Sequence, residues 1–170
     1  MELRGDDYYL TAASVCAPSN WALEEKIDRS LDDIHQSVPG YGQQLSRRVN
    51  RLFANLKPER PLLRFNWSVQ DTAELFWRTD LQEQSPQQQR LEERYWRVER
   101  QTLSRLPETG AIVFTIRIFL HSFSAMGHST GFPANLQRVV DRLPHDQKEY
   151  KGLVSAGEQQ VRSKHRETGG

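Results

Sequence analysis

A chain of 170 residues is long enough to bury a core as one domain. Its 23 Lys+Arg against 22 Asp+Glu are nearly balanced, which argues against a nucleic-acid or anionic-membrane partner; a mean hydropathy of −0.74 is polar without reaching the disordered range. No apolar run approaches the ~20 residues of a membrane helix, and the first residues lack the basic-then-apolar form of a signal peptide.

Residues 8–16 read as a strand rich in Tyr, Leu, Thr and Val, ended by Ala17-Pro18-Ser19. A core strand so close to the start suggests a chain lacking an upstream part. Cys16 is the single cysteine and closes no intrachain disulfide, which points to a reducing, cytoplasmic setting. Ser19-Asn20 is placed to cap a short helix from Trp21 to Ile27. Leu31 to His35 forms a helical turn, and Val38-Pro39-Gly40-Tyr41 a chain reversal.

Gln43 to Leu56 is the clearest helix, with Leu45, Val49, Leu52, Phe53 and Leu56 on one face and Arg47, Arg48, Asn50 and Arg51 on the other. Leu62 to Val69 alternates as a half-buried strand, Leu63, Phe65, Trp67 and Val69 pointing one way. Residues 78–94 are polar and read as an exposed excursion. Tyr95–Leu106 and Ala111–Leu120 flank Pro107-Glu108-Thr109-Gly110, a loop of hairpin length and chemistry. The density of β-branched and aromatic residues from Ile112 to Leu120 predicts a central strand. Helices are expected near 133–143 and 145–152, and a polar tail after them. The sum is an α+β domain, an antiparallel sheet with flanking helices, over residues 1–152, with 153–170 as tail.

Familiar sites are missing from the sequence. There is no C-x-x-C, Walker, G-x-S-x-G or H-E-x-x-H pattern, and Gly40-Tyr41-Gly42 lacks the third glycine of a dinucleotide fingerprint. Asn66-Trp67-Ser68 matches the glycosylation pattern by chance, inside a predicted strand. The chain carries no flavin, nicotinamide or iron–sulfur site of its own.

Several blocks are distinctive: Leu10-Thr11-Ala12-Ala13-Ser14-Val15-Cys16-Ala17-Pro18-Ser19-Asn20-Trp21, Ile34-His35-Gln36-Ser37-Val38-Pro39-Gly40-Tyr41, and Arg60-Pro61-Leu62-Leu63-Arg64-Phe65-Asn66-Trp67-Ser68. Trp96-Arg97-Val98-Glu99-Arg100-Gln101-Thr102-Leu103-Ser104-Arg105-Leu106-Pro107 and Thr109 to Arg117 follow in the same order. Together they resemble the haem-dependent oxidative N-demethylase family over residues 8–152. The resemblance implies a PAS-like fold around a b-type haem. It implies oxidative demethylation, with O₂, of a small secondary amine such as dimethylamine, releasing formaldehyde. Electrons would come from a separate flavin and iron–sulfur reductase component.

Within that frame the residues suggest roles. Haem iron needs an axial ligand, and His35 alone of the five histidines sits inside a family-like block. The plainer alternative is that His35 only caps its turn; Cys16 is a rival ligand, and His121 a rim or distal group. Arg64, Arg97, Arg100 and Arg117 lie on predicted strands and suit haem propionates, or else cross-strand ion pairs with groups such as Glu99. For an alkylammonium, Glu99 offers a carboxylate, and Tyr41, Trp67 and Trp96 offer ring faces; each ring is also an ordinary core residue. The competing functions are a haem or small-ligand sensor and a non-catalytic assembly module. Whether the chain forms a homo-oligomer is left open.

Overall fold

The computed structural model describes residues 1–19, 21–76, 90–127 and 131–153. Their fold is α+β: a two-stranded sheet, a three-stranded sheet and short helices. Strands β1 (Glu2–Arg4) and β2 (Asp7–Tyr9) form an antiparallel hairpin pairing Leu3 with Tyr8. Its turn places Gly5 at φ 62°, the conformation a tight hairpin needs at its first loop position. The longer strand expected over 8–16 stops at Tyr9, because the chain pairs next with a loop: Leu10 exchanges backbone hydrogen bonds with Asp28 and Arg29 (2.7 and 3.0 Å). Between Trp21 and Ile27 only Leu23–Glu25 is helical, as one 3₁₀ turn; Asn20 lies outside the described residues.

Helix α1 (Leu31–Ile34) is capped by Ser30, whose hydroxyl accepts from the Asp33 N–H at 3.2 Å. Helix α2 (Ser46–Asn55) follows a π turn at Tyr41–Leu45. That turn fits an extra residue and rotates Leu45 off the apolar stripe, so Leu45 and Leu52 remain exposed while Phe53 and Leu56 are buried. Strands β3 (Leu62–Gln70), β4 (Tyr95–Arg105) and β5 (Ile112–Ser122) form the larger sheet in the order β3-β4-β5. The expectation of a central strand at 112–120 is therefore corrected. Among the described residues β4 is central and β5 is an edge, since residue composition reports strand propensity and not the number of neighbours. Along β3 the predicted alternation is replaced by a gradient, exposed at Leu62–Phe65 and buried at Val69 and Gln70. Helices α3 (Phe123–Met126), α4 (Phe132–Arg142) and α5 (His145–Tyr150) complete the order. Most of the polar excursion and the tail beyond residue 153 lie outside the described residues.

The chain divides into two compact units. The first is built on Met1–Asn66 and Glu99–Ile118. Its core joins Tyr8, Leu31, Phe53, Leu56, Leu103 and Ile112, with the Tyr8 and Phe53 rings edge to face at 5.0 Å. Arg105 ties helix to hairpin: its guanidinium donates to the carbonyls of Leu56 (2.7 Å), Phe53 (2.5 Å) and Gly110 (2.8 Å). Because Leu103 and Ile112 join the helical core, residues of the same parity on β4 and β5 share the helix-covered face. The hairpin register is set twice. Leu106 N–H donates to Ala111 at 2.8 Å, and the hydroxyls of Thr102 and Thr115 meet across the strands. Both fit one register without a bulge, and carried two residues further it sets Arg100 opposite Arg117 on the uncovered face.

The second unit holds Trp67–Glu74, the described residues up to Val98, and those from Phe119 on. Here Lys151 and Gly152 dock on β3. Val69 N–H donates to the Lys151 carbonyl at 2.8 Å, and Arg94 donates to the Gly152 carbonyl (2.7 Å) and to Asp71 (2.5 Å). A Cβ at residue 152 would meet the Val69 carbonyl oxygen at 2.3 Å, and its φ is +72°, so only glycine fits. No helix among the described residues is long and apolar enough to cross a membrane.

Candidate functional site

His35 ends α1, and one carbonyl fixes it. The Leu31 oxygen accepts both the His35 backbone N–H (3.1 Å) and its ring Nδ1 (2.8 Å). A carbonyl only accepts, so Nδ1 carries the proton and Nε2 presents its lone pair. Burial above all holds the imidazole below the usual 6.5, and the charges of Lys26 and Arg64 act the same way against the Leu31 bond and Asp32. The ring is therefore a neutral base near pH 7. A histidine bound through Nδ1 to a carbonyl, with Nε2 directed outward, is the arrangement that second-shell bonding gives to metal-ligating imidazoles.

The reversal after α1 builds a platform under this ring. Tyr41 N–H donates to the Val38 carbonyl at 3.1 Å, across Pro39 and a Gly40 at φ 72°, the glycine position of a type II turn. It brings the Tyr41 ring parallel to the imidazole, centroids 4.4 Å apart and planes 10° apart. Tyr41 is buried, and its hydroxyl has no hydrogen-bond partner among the described residues. Burial, with the charges of Asp32 and Asp7, pushes this phenol up to about 12, so it keeps its proton through the neutral range. The Asn50 Oδ1 is a second buried oxygen without a partner among the described residues, while the Asn50 Nδ2 donates to Asp7 at 3.3 Å. Asn50 was expected on the solvent face of its helix; the bond to Asp7 turns it inward.

The sheet of the first unit carries further candidates. Arg64, exposed on β3, is close enough for its charge to act on both His35 and Tyr41. Glu99, Gln101, Phe114 and Ile116 share the face of Leu103 and Ile112 by strand parity. Glu99 accepts from Gln101 Nε2 at 2.8 Å. Phe114 and Ile116 remain 42% and 45% exposed, because the helices cover only the end of the face that holds Leu103 and Ile112. The first unit thus stacks a ligand-ready imidazole on a buried phenol within range of the Arg64 charge, and its sheet carries the Glu99 carboxylate and uncovered apolar side chains.

The other candidates lie elsewhere. Arg100 and Arg117 are exposed on the opposite sheet face, where Leu63 and Phe65 are also exposed. Arg97 belongs to the second unit and is fully buried at 1% exposure, donating to Gln70 at 3.4 Å. Trp67 lies in the same unit, edge to face with Trp96 at 6.5 Å. The Lys151 ammonium already sits over its ring, 4.5 Å from the centroid, and donates to its carbonyl at 2.9 Å. Cys16 and His121 are exposed; His128 and His165 lie outside the described residues. Asn50 and Gln101 escaped the sequence reading. The available signal for Gln101 was its parity with Glu99 and Leu103, an inward position on the central strand filled by an amide.

Fold and site together define an α+β protein with a neutral imidazole fixed by a backbone carbonyl and stacked on a buried tyrosine. The family model described as "Haem-dependent oxidative N-demethylase, alpha subunit-like" matches residues 1–161. The chain belongs to that family.

Proposed function

We propose that this chain binds haem b on the covered face of the first unit and takes part in oxidative N-demethylation of a small secondary amine such as dimethylamine. The observation that carries the reading is His35, whose Nδ1 is occupied by the Leu31 carbonyl at 2.8 Å while Nε2 remains the ligand atom. The residues fit a haem in three further respects. Phe114 and Ile116 leave apolar side chains uncovered where a macrocycle needs them. Arg64, whose charge acts on His35, suits a propionate. The buried Tyr41 hydroxyl is a donor without an acceptor among the described residues. The sheet with helices on one face is read as the PAS-like cup.

In this reading His35 would hold the haem iron through Nε2, and the Tyr41 ring stacked on it would set the imidazole plane. Glu99 holds the substrate ammonium, and Tyr41 donates a hydrogen bond within the pocket. Bound haem supplies the activation of O₂. Demethylation of dimethylamine places one oxygen atom in formaldehyde and the other in water, and consumes two electrons and two protons. We read those electrons as coming from a separate reductase component with flavin and iron–sulfur centres; the alpha-subunit description of the family supports a partner subunit. The single exposed cysteine suits a reducing, cytoplasmic compartment.

Absorption spectra of the haem-supplied protein and of His35→Ala test the assignment in oxidised, reduced and CO-bound forms. A stoichiometric Soret band in the wild type, lost or shifted in the variant, is expected; haem retained unchanged without His35 removes it as ligand. Formaldehyde release from dimethylamine with an external electron source then separates the enzyme from a haem sensor. A wild type that takes up no haem would favour an assembly role.

A further inference from the structure

The peptide unit that carries His35 is held at both ends. Its N–H, on His35, donates to the Leu31 carbonyl at 3.1 Å. Its carbonyl, on Ile34, accepts from the Lys26 ammonium at 3.1 Å. The Leu31 oxygen that takes the N–H also takes the ring Nδ1 at 2.8 Å, so ammonium, peptide and imidazole form one chain of bonds. Bonds in such a chain polarise one another; a cation on the Ile34 oxygen makes the His35 N–H a stronger donor. A peptide plane that cannot rotate also keeps the ring on its acceptor. Lys26 has a fixed base of its own. It closes the 3₁₀ turn, its N–H donating to Leu23 at 2.9 Å and its carbonyl accepting from Arg29 at 3.2 Å. From there the half-buried side chain reaches the end of α1, where a helix leaves carbonyls without helical partners. Its charge also acts on the imidazole against protonation.

We propose that Lys26 is a positioning residue for His35: its ammonium locks the Ile34–His35 peptide, and through it the imidazole, in the orientation that presents Nε2 as a ligand atom. This rests on the reading above that His35 holds the haem iron. Lys26 acts through the backbone, by fixing the peptide on which the ligand stands. Methionine at this position keeps a stem of similar length and removes the donor, whereas arginine keeps both donor and charge. A residue that only capped α1 would change stability without changing the ring.

The test compares wild type, Lys26→Met and Lys26→Arg, first haem-free and then haem-loaded. In the haem-free chain at about pH 8, where the imidazole is neutral, nitrogen NMR of labelled histidine reads which ring nitrogen carries the proton. His35→Ala identifies the signal. Wild type is expected to hold the proton on Nδ1. Lys26→Met should move the ring toward a mixture of both tautomers and speed exchange of the His35 amide about tenfold or more, from the loss of a hydrogen bond to a charged group. Lys26→Arg should keep the wild-type pattern. In the loaded protein, haem transfer to a scavenger should be about tenfold to a hundredfold faster in Lys26→Met, the usual loss when a partner behind a ligating imidazole is removed. An unchanged tautomer and amide exchange in Lys26→Met overturn the proposal. So does a fall in urea stability with ring and haem transfer unchanged, which is the behaviour of a plain cap. Lys26→Gln, polar but shorter, is judged by the same criteria if Lys26→Met does not fold. A wild type that takes up no haem removes the haem reading alone; the nitrogen spectra then still decide whether Lys26 sets the ring.

Discussion

At the scale of single residues, the Tyr41 hydroxyl is the most informative group in the chain. A buried O–H without a partner is unfavourable by about 1–3 kcal/mol, and Asn50 Oδ1 is a second buried oxygen without a partner among the described residues. Asp7 is bonded to Asn50, and burial, with the charges of Asp32 and Asp7, pushes the Tyr41 phenol up to about 12. Tyr41→Phe removes the unsatisfied oxygen and keeps the ring stacked on His35. The protein without ligand should therefore unfold at unchanged or higher urea concentration, with a gain up to about 1 kcal/mol. A loss of stability of about 1 kcal/mol or more would show that the hydroxyl has an internal partner and is not held for a ligand. Part of this was legible from sequence. His35 and Tyr41 stand in one block around Val38-Pro39-Gly40, and that turn brings them together. The orphaned oxygens were not legible, because burial of Asn50 depends on where Asp7, 43 positions away in sequence, arrives in space.

At the scale of elements, length and boundary were read well where pattern and breaker agree, as in β4, β5 and the turn between them. They were read poorly where tertiary pairing decides. The run after Tyr9 is extended but finds only the Asp28–Arg29 loop to pair with, so composition alone overestimates the strand. The π turn before α2 adds a residue that no periodicity count anticipates, and the predicted apolar stripe loses Leu45 to solvent. The same helix depends at its other end on a residue far along the chain. Arg105 donates to the Phe53 and Leu56 carbonyls at 2.5 and 2.7 Å, the groups a helix C-terminus leaves without internal partners. Arg105→Met keeps the aliphatic stem and removes these bonds, and with them the bond to Gly110 in the hairpin turn. Hydrogen bonds to charged groups contribute about 1.5–3 kcal/mol each net of exchange with water, and several to one guanidinium do not add. The variant should lose about 2 kcal/mol in equilibrium urea unfolding. A loss within about 0.5 kcal/mol would mean that solvent replaces the guanidinium without penalty.

At the scale of the whole molecule, the same imidazole that is prepared as a ligand makes global stability depend on pH. In the folded chain His35 titrates below 6.5, mainly through burial, whereas in the unfolded chain it returns to its ordinary value. As pH falls through about 6.5 the unfolded state takes up a proton that the folded state refuses, so stability decreases toward acid. The decrease continues until the folded imidazole itself protonates, and above the ordinary value the contribution is constant. His35→Phe retains an aromatic ring against Tyr41 and cannot titrate. Urea midpoints measured from about pH 8 down to about pH 5 should therefore fall more steeply for the wild type than for the variant, with the difference opening only below about 6.5. Parallel profiles would show that His35 is as well solvated folded as unfolded. Haem uptake should follow the same arm for a related reason: a ligating imidazole must be neutral. Burial that destabilises the chain in acid is thus also what keeps Nε2 available at lower pH than a surface histidine allows. Stability and ligand readiness are two measures of one desolvated ring.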